Sequence, residues 1–300
     1  MPRELRIGMV GLDTSHCVAF TGILNDESNP HYIPGARVVA AYPSFSPDVE
    51  ASHGRVEGFT EKLKTDYGVE MVEGVEALCE RVDAVFIESV DGRRHLSEYR
   101  PVAVAGLPCF IDKPMTVSHR EAKEIERLSK EHDARVFSSS SLRLVPEIQA
   151  AATDREGIGE IQAAHVFSPA SLEPTNPGLY WYGVHGVEML YTLMGPGCES
   201  LAGFSSDELD VVVAQWKDGR RATYSGTRLA THDYGAVVHG TEATRAFVCA
   251  LQDIYVPLVE RAVEFFRGAP PPVPIETTVE MMAFIEVAAK SEGKFHPIPL

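Results

Sequence analysis

Apolar positions in the first half of the chain fall into short unbroken runs separated by amphipathic stretches. Leu5–Leu12, Ala36–Ala41, Val82–Ile87, Pro108–Ile111 and Arg135–Ser138 read as strands, mostly continuous enough to be buried on both faces. Helical patterns lie between them: Asp13-Thr14-Ser15-His16 to about Leu24, Glu61 to Tyr67, Val75 to Cys79, His95 to Ala105, and Ser118 to His132. Ser118 and Glu121 make a capping box for the last of these. Asn25 to Gly35 and Pro43 to His53 read as loops. Strands alternating with helices predict a Rossmann-like α/β fold with a doubly wound parallel sheet.

Beyond the serine run Ser138–Ser141 the pattern changes. Val145–Thr153 is helical, Ile158–Phe167 is a long strand, and Tyr182–Met194 is a helix stopped by Gly195-Pro196-Gly197. Val211–Trp216, Arg221–Thr227, Ala236–His239 and Ala246–Ala250 read as strands joined by turns, and Val256–Phe266 and Thr277–Ser291 as helices. The expectation is two domains. Residues 1–140 form the Rossmann-like one, and 141–300 form an α+β domain with a mostly antiparallel open sheet.

Composition narrows the partners. A net charge of −16 argues against nucleic acid and anionic membranes. Any site for a phosphorylated cofactor then needs local help from arginines or backbone N–H groups. The five cysteines are odd in number and carry no Cys-x-x-Cys, which fits reduced thiols in a cytoplasmic protein. Neither an apolar leader nor a membrane-spanning segment is expected. The eleven histidines show no His-x-His or His-Glu-x-x-His spacing, so no metal site is expected. No Gly-x-Ser-x-Gly elbow or P-loop lysine motif is present.

One stretch organises the chemistry. Cys109-Phe110-Ile111-Asp112-Lys113-Pro114 ends an apolar strand with a lysine, where open α/β sheets bind ligands. Pro114 stops the ladder, and a cis Lys–Pro bond would fix the direction of the ammonium group. Further on, Tyr180-Trp181-Tyr182-Gly183-Val184-His185-Gly186 carries a histidine at a helix start. This order resembles the Gfo/Idh/MocA family of NAD(P)-dependent sugar and polyol oxidoreductases. There a Glu-Lys-Pro closes a strand of the nucleotide domain, and a Gly-x-His lies on a helix of the second domain.

The resemblance implies a cofactor, NAD or NADP, and a small-molecule substrate. It also implies a homodimer or homotetramer formed through the second-domain sheet. Lys113 would orient the reacting hydroxyl, and His185 would be the general acid/base, since imidazole titrates near neutral pH. Substrate contacts fall on Lys113, Arg143, Tyr182 and His185. Cofactor contacts fall on Gly8, Gly11, Asp13, Thr14, Ser15, His16, Ser44, Ser89, Arg94, His95, Asp112 and Lys113. Glu188, one turn after His185, matches an acidic position of the family and could orient the ring.

Three departures from the family pattern stand out. The first turn reads Gly11-Leu12-Asp13-Thr14-Ser15-His16, with Asp13 where the backbone should approach phosphate and His16 at the close-packing position. A carboxylate about 4 Å from a phosphate oxygen is repelled by roughly 4 kcal/mol at an effective dielectric near 20, or about a thousandfold in affinity. Thr14, Ser15, the helix N-terminus, Arg93 and Arg94 could compensate; alternatively Asp13 caps its own helix. Second, Tyr42-Pro43-Ser44 supplies no acidic residue for an adenine ribose. Third, Trp181 replaces an aspartate common four residues before the histidine. These departures leave two competitors to a dehydrogenase. One is a non-redox lyase or isomerase using Asp13, His16 and His185; the other is a ligand-binding protein that has lost the cofactor.

Overall fold

The computed structural model describes residues 3–229 and 232–299. The chain forms two compact units. One comprises Met1–Thr116, Arg120–Ser139 and Tyr255–Ile275; the other comprises Val117–His119, Ser140–Ile254 and Glu276–Leu300.

The first unit opens β1 (Leu5–Val10), α1 (Ser15–Asn25), β2 (Ala36–Tyr42), α2 (Glu50–His53), α3 (Val56–Tyr67) and β3 (Glu70–Met71). It continues α4 (Val75–Cys79), β4 (Ala84–Ile87), α5 (Gly92–Val104), β5 (Cys109–Ile111), α6 (His119–His132) and β6 (Val136–Ser138). Six parallel strands lie in the order β3-β2-β1-β4-β5-β6. The order reverses between β1 and β4, and a doubly wound sheet binds ligands outside the carboxyl ends of its strands at this point. The fully buried runs of β4 and β5 explain why both read as unbroken apolar segments.

Aromatic packing secures one face of this sheet. Phe86 meets Phe110 at 5.6 Å, and Phe110 meets Phe137 at 5.0 Å, between ring centroids. Phe137 then meets Phe265 at 4.8 Å, and Phe86 meets Phe266 at 5.1 Å. These edge-on and tilted pairs fasten the segment 255–275 to the first unit. Assigning all of 141–300 to a second domain misses this return, because long-range aromatic packing has no local signal in the sequence.

The second unit holds α7 (Pro146–Thr153), β7 (Ile161–Pro169), α8 (Val184–Met194), β8 (Cys198–Ser205), β9 (Leu209–Trp216), β10 (Arg221–Thr227), β11 (Gly235–Gly240) and β12 (Thr244–Val248). After α9 (Tyr255–Phe266), which belongs to the first unit, come α10 (Ile275–Lys290) and β13 (His296–Pro297). The sheet runs β12-β11-β7-β10-β9-β8-β13, antiparallel except for the β7–β10 pair. Burial alternates along β9 and β10, so one face is covered and the other is not. Helix α8 lies on the covered face at Gly186, where an added Cβ would stand 2.2 Å from the Tyr224 ring. The sequence reading lacked β3, β8 and β13, which are short or glycine-interrupted, and it read the helix α2 as loop.

Candidate active site

The turn from β1 into α1 departs from a glycine-rich loop in a way that can be read residue by residue. Gly11 has φ +84°, and a Cβ there would meet the Ser89 backbone nitrogen at 2.2 Å. Glycine is therefore required by the close passage of the turn after β4. Gly8 is tight against Leu78 within the strand. The Asp13 side chain is fully buried and accepts hydrogen bonds from the Ser52 hydroxyl at 2.6 Å and the Val90 N–H at 3.0 Å. It does not cap α1, whose N-cap Thr14 also makes no side-chain cap bond. Asp13 thus ties the β1 turn to α2 and to the turn after β4.

Burial raises the Asp13 carboxyl to about 6, against hydrogen bonds from Ser52 and Val90 that pull it down. A carboxyl with a raised folded pKa stabilises the fold at low pH and loses that contribution as pH rises through 6. Asp13→Asn has no such titration and keeps an acceptor for the Val90 N–H. Its stability relative to wild type is expected to rise by about 2–3 kcal/mol between pH 4 and pH 8. Urea unfolding at the two pH values measures this, and an unchanged difference would contradict the raised carboxyl.

Four ionisable groups meet at the ends of β1, β4 and β5. His16, on the first turn of α1, donates from Nδ1 to Asp112 Oδ2 at 2.9 Å and stands 3.7 Å from Glu88 Oε2. Its ring is stacked on Phe20 and edge-on to Tyr255. Lys113 Nζ lies 3.7 Å from Asp112 Oδ2, and the peptide bond to Pro114 is cis. Burial lowers the His16 pKa, but the charge and hydrogen bond of Asp112 outweigh it and raise the imidazole to about 9. Burial alone would raise Asp112; His16 and Lys113 instead hold it well below the usual carboxylate range. Burial pushes Glu88 up to about 8, against the favourable pull of His16. These shifts favour a protonated His16 beside an ionised Asp112 and make the Glu88 carboxyl hold its proton more tightly than an exposed one.

Several residues assigned to a cofactor from the sequence have partners that brace this region from within. Ser44 and Ser89 are buried, and both hydroxyls donate to Glu98 Oε1. Arg94 donates to Glu98 at 3.0 Å and to the Ser44 oxygen at 2.7 Å. Arg93 is held by Asp91 and by a two-pronged contact with Asp48, so it is not a spare cation for phosphate. His95 is fully buried, with Nε2 2.6 Å from the Ser89 carbonyl and Nδ1 2.9 Å from that of Pro114. It joins the turn after β4 to the turn that carries Lys113.

In the second unit His185 begins α8. Its Nδ1 is 2.6 Å from the Ser140 hydroxyl, and the Tyr182 and Tyr234 rings meet it edge-on. Glu188, expected to orient this ring, is engaged by Arg143, with contacts of 2.7 Å from Nε and 2.6 Å from Nη2. Arg143 is accordingly a buried ion-pair partner, which accounts for the charge that suggested a substrate contact.

A search of curated protein sequences finds no match for this chain. Residues 6–140 match the Gfo/Idh/MocA model, described as "Oxidoreductase family, NAD-binding Rossmann fold". Through this stretch the chain is similar to the Gfo/Idh/MocA oxidoreductases. Solved structures share the fold along its whole length. A myo-inositol 2-dehydrogenase from Lactobacillus plantarum aligns with TM-score 0.80 at 18% identity, covering 99% of this chain and 100% of its own. A scyllo-inositol dehydrogenase from Lactobacillus casei gives 0.81 at 16%, covering 99% and 98%. GenD2 from gentamicin A biosynthesis, solved in complex with NAD, gives 0.81 at 16%, covering 100% and 98%.

The matched model is described as NAD-binding, and the first turn fits a group of that kind. The start of α1 carries no side-chain cap, Ser15 is exposed beside it, and Asp13 is turned inward. The helix N-terminus is thus left to favour an anion. Gly11, Thr14 and Ser15 are the residues that would hold a pyrophosphate there. Glu88, Glu98 and Ser140 were missed from the sequence. Glu88 had a signal of the same kind as Asp112, a single acid closing a buried apolar run. Glu98 sits in an ordinary amphipathic helix, and Ser140 in a run of four serines.

Proposed function

We propose that this protein is an NAD(P)-dependent dehydrogenase acting on a sugar, polyol or related hydroxy compound. The observation that carries the reading is Lys113, set just beyond β5 with its ammonium beside Asp112, in the same unit as an uncapped α1 start. Bound nicotinamide supplies the hydride acceptor or donor. The chain's own residues then have simple tasks. Lys113 orients the reacting hydroxyl and favours its deprotonated form. His185 moves the proton, with Ser140 fixing its Nδ1 side. The inositol dehydrogenases among the solved structures support a polyol as the substrate class.

Titration with NADH and NADPH tests the reading, followed by energy transfer from Trp181 and Trp216 to the nicotinamide. Saturable binding with Kd of about 1–100 µM is expected for one or both. Absence of binding up to about 1 mM would overturn it. A second reading, a non-redox lyase or isomerase, is favoured by the His16–Asp112 hydrogen bond, which makes a buried acid/base pair at the strand ends. Turnover of a hydroxy compound without added nicotinamide would select it.

A further inference from the structure

Glu88 is the group in the first unit whose placement its neighbours explain least. Its side chain is fully buried, yet neither carboxylate oxygen has a hydrogen-bond partner among the described residues. Asp112 Oδ1 is in the same position. Both carboxylates face His16 Nδ1, 2.9 Å from Asp112 Oδ2 and 3.7 Å from Glu88 Oε2. One donor atom from each of the three residues lies within 4.8 Å of the other two. Donor atoms held about 2.0–2.2 Å from one ion stand roughly 3.0–3.5 Å apart. The two His16 spacings, 2.9 and 3.7 Å, fall on either side of that range, and the carboxylates, within 4.8 Å of each other, would close in on a common centre when an ion binds. The His16 ring is already fixed by Phe20 and Tyr255.

We propose that His16, Glu88 and Asp112 bind one divalent transition cation of the Zn²⁺ or Mn²⁺ class. One imidazole with two carboxylates is a mixed nitrogen and oxygen set suited to such ions, and two carboxylates balance the ionic charge. An ion would take the place of the proton shared by His16 and Asp112 and would satisfy the buried Glu88 oxygens. Three protein ligands leave positions open for water or for an oxygen of a substrate. No metal motif is visible in the sequence because the ligands come from three turns, after β1, β4 and β5. The proposal does not rest on the dehydrogenase reading, since binding is measured without nicotinamide.

The test uses the full chain, stripped with a chelator and titrated separately with Mn²⁺ and Zn²⁺ by calorimetry at pH 8. One ion per chain is expected, with Kd below about 100 µM for at least one metal. Glu88→Gln and Asp112→Asn should each weaken binding at least tenfold, about 1.4 kcal/mol. His53→Ala, at an exposed histidine, should leave it unchanged. Bound metal should raise the melting temperature of wild type but not of Glu88→Gln, a nearly isosteric change whose folding circular dichroism checks. Spin-echo modulation of bound Mn²⁺ by an imidazole nitrogen, lost in His16→Gln, gives a second readout that needs no carboxylate variant. Absence of stoichiometric binding by either ion, or binding that persists unchanged in Glu88→Gln and His16→Gln, would overturn the proposal.

Discussion

Lys113→Ala is expected to lower kcat/KM for the hydroxy substrate by about 10²–10⁴-fold while leaving the first unit folded. The size follows from the proposed task. A preorganised ammonium beside a hydroxyl that loses its proton acts mainly on the transition state, so the loss should appear in kcat more than in KM. The fold should survive because Asp112 keeps its closer partner, His16, at 2.9 Å, against 3.7 Å to the lysine. Lys113→Arg restores the charge but not the compact donor, and recovery of only a small part of the activity is expected. Steady-state kinetics with matched circular dichroism spectra make the comparison. Full turnover in Lys113→Ala would remove the lysine from the reaction and with it the main support for the dehydrogenase reading.

The strand that carries Lys113 was legible because its signal is local: an apolar run long enough for one buried strand, closed by residues that cannot extend it. The same holds for β1, β2, β4 and most of the helices between them, and so for the parallel sheet of the first unit. What sequence could not supply was the direction of side chains at the strand ends. Asp13 reads as a charge facing phosphate, but it lies buried against Ser52 and Val90. Ser44, Ser89 and His95 read as cofactor contacts, yet each spends its polar atoms on a partner inside the unit. Such choices depend on which side chain across the turn satisfies a buried polar atom first, and spacing along the chain does not encode that. Three of the four members of the ionisable cluster were visible, His16, Asp112 and Lys113. Glu88 completes it only because parallel pairing sets β4 between β1 and β5.

In the second unit the largest expected stability effect lies at the buried Arg143–Glu188 pair. Replacing Arg143 by methionine leaves a carboxylate that is 2% exposed without its cation, a change that typically costs about 3–5 kcal/mol. Burial already raises the Glu188 carboxyl, and the Arg143 charge and hydrogen bond pull the other way. Removing the arginine raises it further. A raised carboxyl stabilises the folded state at low pH and loses that contribution as pH rises through its folded value, at no more than about 1.4 kcal/mol per pH unit. The deficit of Arg143→Met should therefore be greatest at pH 8 and shrink toward pH 5.5. Arg143→Met combined with Glu188→Met removes both charges and should recover most of the loss, since well-packed apolar pairs often replace buried ion pairs without penalty. Tryptophan fluorescence reports the second unit selectively, because Trp181 and Trp216 both lie within it. Urea unfolding followed by this signal at both pH values decides the matter. A deficit at pH 8 that is small, or unchanged at pH 5.5, would mean that Glu188 does not depend on Arg143 for its charge.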